Sequence, residues 1–203
     1  MNEKRFLHRS TLLQDGTVLI TGGYNSSLSS YGLMTNTAEI FDPVNLTFTP
    51  VGSMIKARAE HTADLLPDGT VLISGGTGFT NPSGLAEIYD PATKTFRATA
   101  HSLTVDRAYA PTATPLVNGN ILISGGAILN PGIDLDYKYQ SLICNSSAEY
   151  YDTSKILFMP VTNNMSSVKI FHAGTTLDDG TIILTGGFDG LKPVASCDLY
   201  NPA

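Results

Sequence analysis

HTADLLPDGTVLISGG, residues 61–76, decides the architecture, because the chain repeats it. HRSTLLQDGTVLITGG precedes it at 8–23, and PTATPLVNGNILISGG and HAGTTLDDGTIILTGG follow at 111–126 and 172–187. The Gly-Gly pairs lie 53, 50 and 61 residues apart, a period that marks stacked supersecondary units. A second element follows each pair: AEIFDP at 38–43, AEIYDP at 86–91, AEYYDT at 148–153 and CDLYNP at 197–202. A lone aromatic then closes the first three units, at Phe48, Phe96 and Phe158. The chain holds three full units and most of a fourth.

Each full unit reads as four strands. The first two flank Asp15-Gly16, Asp68-Gly69, Asn118-Gly119 or Asp179-Gly180. These dipeptides suit a two-residue hairpin turn whose central residues both take positive φ. The second strand is an unbroken apolar run such as Val71-Leu72-Ile73, which predicts burial on both faces. The third carries the AEIYD element and ends at a turn, where Pro43, Pro91 and Pro202 set φ. The fourth alternates, as in Thr47-Phe48-Thr49, and fits a half-exposed outer edge. No segment has a helical period, so the fold class is all-β.

Composition narrows the function classes. With 203 residues, 42% hydrophobic and 15% charged, the chain is long enough to bury a core. Its 12 Lys+Arg are scattered and the net charge is −6, which argues against a nucleic-acid partner. No apolar run approaches the roughly 18 residues of a membrane helix, so membrane insertion is not expected. MNEKRFLHRS lacks the apolar core of a signal peptide, and the compartment stays open. Cys144 and Cys197 allow at most one bridge.

The period, the Gly-Gly pair ending strand two and the AEIYDP element resemble the kelch repeat of β-propellers. The pattern is similar to bacterial kelch units related to the central domain of galactose oxidase, and it covers nearly the whole chain. The resemblance implies a propeller segment of four kelch-like, four-stranded antiparallel blades, at about 5–51, 55–99, 104–161 and 166–203. All lie in one domain or fragment, 1–203, with the last blade lacking its outer strand. Kelch units usually carry Trp on strand four, where this chain has Phe48, Phe96 and Phe158. Propellers of this family usually close with six or seven blades, so a piece of a larger ring is the favoured expectation, ahead of a compact four-bladed ring or an assembly completed by another chain. The copper radical oxidases place an adjacent Tyr-His at the start of strand one as metal ligands, and a Tyr cross-linked to Cys. The matching pairs here are Leu7-His8, Glu60-His61 and Phe171-His172, none with a tyrosine. No catalytic residue, metal or cofactor is therefore assigned.

In an up-and-down sheet the tight turns gather at one end and the loops from strand two to strand three at the other. Those loops, at 24–37, 77–85, 127–147 and 188–196, vary from unit to unit, as a binding surface on a constant scaffold would. Their aromatic and acidic residues are the binding candidates: Tyr24, Tyr31, Phe79, Asp134, Asp136, Tyr137 and Tyr139. His8, His61 and His172 open strand one, and a backbone or capping role outweighs a metal site. Arg5, Arg58, Arg107 and Lys169 recur just before them and are expected to neutralise Glu39, Glu87, Glu149 and Asp198. The leading expectation is a non-catalytic scaffold for a protein or glycan partner. The alternatives are a fragment of a galactose-oxidase-like enzyme, and a self-assembling segment that forms homo-oligomers through bare blade faces.

Overall fold

The computed structural model describes residues 1–25, 33–77, 84–130 and 142–202, and within them all regular structure is β. The first sheet is β1 (Arg9–Leu12), β2 (Val18–Thr21), β3 (Ala38–Asp42) and β4 (Thr47–Pro50) in that spatial order. The second repeats it with β5 (Thr62–Leu65), β6 (Val71–Ser74), β7 (Glu87–Asp90) and β8 (Thr95–Ala98). The third comprises β9 (Thr112–Pro115), β10 (Ile121–Ser124), β13 (Ala148–Asp152) and β14 (Leu157–Pro160). The fourth has three strands, β15 (Ala173–Thr176), β16 (Ile182–Thr185) and β17 (Cys197–Tyr200). All neighbours within these sheets are antiparallel. A ribbon of β11 (Ala127–Leu129) and β12 (Leu142–Cys144) rises from what the sequence reads as a plain loop.

The first hairpin of each unit departs from expectation. Gly16 has φ +82°, but Asp15 is not left-handed. The Gly16 N–H donates to the Leu13 carbonyl and the Leu13 N–H to the Thr17 carbonyl. That is a three-residue loop ending in a left-handed glycine, and the same bonds recur around Gly69, Gly119 and Gly180. The Asp side chain explains the choice: Asp15 Oδ1 accepts from the Thr17 N–H at 2.9 Å and its hydroxyl at 2.7 Å. Asp68 with Thr70 and Asp179 with Thr181 repeat this. Such a side-chain bond two residues ahead needs no positive φ at the Asp.

The sheets stack in chain order. First strands lie side by side, β1 with β5, β5 with β9 and β9 with β15. Because side chains alternate across a strand, each sheet has two apolar faces. Leu13, Leu19, Ala38 and Met54 meet Val71, Ile73 and Tyr89 between sheets one and two. Leu66, Leu72 and Ile88 meet Ile121, Ile123 and Tyr151 at the next junction. Leu116, Leu122 and Ala148 meet Ile182 and Leu184 at the third. The continuous apolar β6 and β10 are accordingly buried at every residue. The outer aromatics pack inward on β3, β7 and β13, with ring centroids 4.8 Å apart for Phe41–Phe48, 4.9 Å for Tyr89–Phe96 and 5.0 Å for Tyr151–Phe158.

Candidate functional site

Three of the four variable loops spring from one structural device, and the fourth from a reduced form of it. Arg58 is 1% exposed, and its guanidinium reaches both ends of its unit's loop. Nη1 donates to the Gly75 carbonyl at 2.7 Å and the Leu85 carbonyl at 3.1 Å, while Nη2 meets Glu87 Oε1 at 2.7 Å. Arg5 does the same with Gly22, Thr37 and Glu39, and Arg107 with Gly125, Ser147 and Glu149. Lys169, a single ammonium, donates to the Ser196 carbonyl at 2.9 Å and Asp198 at 2.6 Å. The planar fork of Arg is what permits one side chain to bridge two carbonyls and a carboxylate. The ion pairs expected from the sequence thus form, within each unit. Their fastening of the loop roots is a role that sequence reasoning missed, although the recurrence of Arg 17 or 18 residues before the first glycine of the pair signalled it.

The carboxylates hold the linker between units as well. Glu87 accepts backbone N–H bonds from Ile55 at 2.6 Å and Lys56 at 3.1 Å, and Glu149 one from Thr104 at 2.7 Å. Burial lowers the Arg58 and Arg107 pKa values, against the opposing pull of Glu87 and Glu149. For Glu39 burial works upward, but the Asn2 N–H and the Arg5 guanidinium outweigh it and the pKa falls. Such pairs are costly to break from one side.

The histidines join units. His61 Nε2 lies 2.8 Å from the Thr21 hydroxyl and His172 Nε2 lies 2.8 Å from the Ser124 hydroxyl, each one unit back. Burial, with the Arg58 charge for His61 and the Lys169 charge for His172, lowers both pKa values, that of His172 to about 4. Pro111 replaces the third histidine, and Ser74, left without it, bonds the Thr62 hydroxyl at 2.7 Å. Among the described residues no three His, Cys, Asp or Glu side chains converge as metal ligands would.

Of the binding candidates, Tyr24 is described. It stacks on Phe6 with centroids 5.2 Å apart and pairs with it as a bridge at the loop root, so its ring is half-buried. Tyr31, Phe79, Asp134, Asp136, Tyr137 and Tyr139 lie outside the described residues. Thr77, Ala127 and Phe188 occupy the register of Tyr24 in the other units. Phe188 packs with Tyr109, Ile170 and Cys144. Cys144 and Cys197 are both free thiols. The clefts between sheets lie at the opposite end, among the tight turns. One of them, about 270 Å³, runs past Gln14, Asp15, Asp68 and Asp90. It is smaller than a typical small-ligand site, and Asp15 and Asp68 are already held by their threonines.

No protein-family model matches the chain. The chain is similar to spermatocyte protein spe-26 of Caenorhabditis elegans, 29% identical over 129 residues, 62% of this chain. It spans 22% of that protein's length.

Proposed function

We infer that this chain is a kelch-type β-propeller segment working as a non-catalytic scaffold, which presents its strand-two-to-strand-three loops to a protein or glycan partner. One observation supports the reading above the others. Loops of very different length leave the core through the same clamp, in which Arg5, Arg58 or Arg107 ties the two roots together. A loop whose ends are fixed by a buried side chain is free to change in length and sequence without moving the sheets. Stacking of first strands in chain order supports the radial arrangement.

The test has two readouts. Residues 131–141 are replaced by Gly-Ser-Gly, and thermal unfolding and binding to an array of neutral and acidic oligosaccharides are compared with the original chain. Retained unfolding temperature with loss of any glycan signal supports the reading, and an array silent for both proteins directs it to a protein partner. A collapse of stability on loop replacement overturns the scaffold reading. Stoichiometric copper with alcohol oxidation overturns the non-catalytic part.

A further inference from the structure

The three junctions between sheets share an apolar layer and differ in what stitches it. Between the first and second sheets Arg9 Nε donates to the His61 carbonyl at 2.5 Å and the Thr11 hydroxyl to the Ala63 carbonyl at 2.8 Å. The Glu60 N–H reaches the Leu7 carbonyl, the Gly23 N–H reaches the Arg58 carbonyl, and His61 meets Thr21. Between the third and fourth sheets the Thr112 hydroxyl donates to the His172 carbonyl at 2.6 Å and the Thr176 hydroxyl to that of Pro115. The Phe171 and Gly126 N–H groups reach the Ala110 and Lys169 carbonyls, and His172 meets Ser124. Between the second and third sheets the Gly76 N–H donates to the Arg107 carbonyl at 3.1 Å. Outside the connecting segment at 100–103, no other hydrogen bond joins those two units among the described residues.

Two residues account for the difference. Pro111 stands where His61 and His172 stand, so the imidazole that would meet Ser74 is missing. Ser74 takes the Thr62 hydroxyl instead, at 2.7 Å. Thr62 sits at the register of Arg9 and Thr112, the residues that reach across at the other junctions. Asp64 sits at the register of Thr11, and Ala113 at that of Ala63, whose carbonyl Thr11 holds. A hydroxyl always has a proton to donate to such a carbonyl, and a carboxylate has none. Asp64 Oδ2 is sealed from solvent and accepts no hydrogen bond among the described residues. Arg9 of β1 is the charge that faces it, the Thr62 hydroxyl is its polar neighbour on β5, and β6 and β9 carry no titratable side chain. What holds this junction is the layer of Leu66, Leu72, Ile88, Ile121, Ile123 and Tyr151, whose attraction has no preferred direction.

We propose that the junction between the second and third sheets is a hinge between two stitched pairs of sheets, and that a proton on Asp64 is its latch. With the proton, Asp64 donates to the Ala113 carbonyl and closes β5 on β9 as Thr11 closes β1 on β5. When the proton passes to solvent, the carboxylate faces a carbonyl and draws water between the first strands, and the two pairs shift on the apolar layer. The clamps of Arg5 and Arg58 belong to one pair and those of Arg107 and Lys169 to the other. The latch therefore sets the spacing between two groups of loop roots, whatever the loops contact.

The experiment is native-state hydrogen exchange of the whole chain by NMR, read at the Gly23, Gly76 and Gly126 amides. Each follows another glycine, so their intrinsic exchange rates match, and each N–H is bonded to the Arg or Lys carbonyl of the next unit. At pH 7 Gly76 is expected to be less protected than the other two by about tenfold or more. From pH 7 to pH 5 that deficit should shrink roughly five- to tenfold, because an ordinary Asp is already ionised at pH 5 and Asp64, raised to about 6 by burial, largely is not. His61 and His172, both held low by burial, stay mostly neutral over that range. Asp64→Asn and Asp64→Thr donate at any pH, so each should show a small deficit that is the same at both pH values. Equal protection of the three amides at pH 7 overturns the hinge. A deficit in the original chain that is unchanged between pH 7 and pH 5, or that persists in full in both variants, overturns the latch.

Discussion

The second and fourth sheets are written in nearly the same letters and live in different surroundings. VLIS of β6 is fully buried, whereas IILT of β16 alternates buried and half-buried. Ile88 is 1% exposed and its register equivalent Leu199 is 72%. Arg58 and Glu87 are both dry, while Asp198, the partner of Lys169, is 16% exposed at its side chain. Apolar periodicity therefore encodes the capacity of a strand to be covered, and a neighbour must exist for that capacity to become stability.

The largest test of this contrast is the ion pair. Arg58→Met leaves the Glu87 carboxylate buried without its counter-ion, and a loss of about 3–5 kcal/mol is expected in urea unfolding. Lys169→Met, beside a wetter Asp198, should cost roughly half as much. Equal losses would show that the extra neighbour contributes nothing to the pair.

The apolar layer comes next. Leu72→Ala is expected to cost about 3–5 kcal/mol, since it opens a cavity between two sheets. Ile183→Ala, at the same register but only half-buried, should cost about 1 kcal/mol. A similar cost at both sites would contradict the burial difference.

Glycine sharpens the comparison further. Gly75 and Gly186 share φ +64°, so alanine pays the same backbone strain at each, about 1 kcal/mol. At Gly75 the methyl also meets the Arg107 carbonyl, and the loss should at least double. Thermal melts of the two single variants read the difference directly, and identical shifts would remove the carbonyl from the account.

The smallest effect is pH-dependent and peculiar to the second sheet. Asp64 stands where Thr11, Thr114 and Thr175 stand in the other sheets. Burial raises its pKa to about 6, against the pull of the Thr62 hydroxyl and the Arg9 charge. A carboxyl with a raised folded pKa is protonated in both states well below pH 4. Between about 4 and 6 the unfolded chain ionises and the fold does not, so stability falls as pH rises through that window. Asp64→Asn should abolish this fall and leave the variant more stable at pH 7 by on the order of 1–2 kcal/mol. A wild-type stability profile parallel to that of Asp64→Asn from pH 4 to 7 would contradict the assignment. His61 and His172 act in the opposite sense, because their depressed pKa values remove stability as pH falls below about 6.5.

Much of the fold is legible in the sequence because it is stated four times. Strand order within units, the buried second strand, the outer aromatics and the Arg–Glu pairs all recur in register, and repetition separates them from chance. The turn type is not legible, since Asp-Gly satisfies both a two-residue turn and the three-residue loop that Thr17, Thr70 and Thr181 stabilise. The β11–β12 ribbon is invisible for a different reason: Ala127–Leu129 and Leu142–Cys144 are three-residue strands that occur in one unit alone. Among the loop candidates, Tyr24 reads as a free aromatic plane in the sequence, yet its stacking on Phe6 depends on a partner 18 residues earlier in another strand-like segment. The clamp at the loop roots escaped because charge complementarity alone accounts for Arg58 and Glu87, and the carbonyl acceptors leave only the spacing of Arg from Gly-Gly as a trace.

The His and Thr stitches between sheets have a consequence for the order of events during synthesis. Thr21 to His61, Arg9 to His61, Ser124 to His172 and Thr176 to Pro115 join residues 40, 52, 48 and 61 apart. Each is made between one unit and its immediate successor. A nascent chain leaving the ribosome therefore needs only the unit already outside to receive the next, so each of the later three units emerges onto a neighbour that can already hold it.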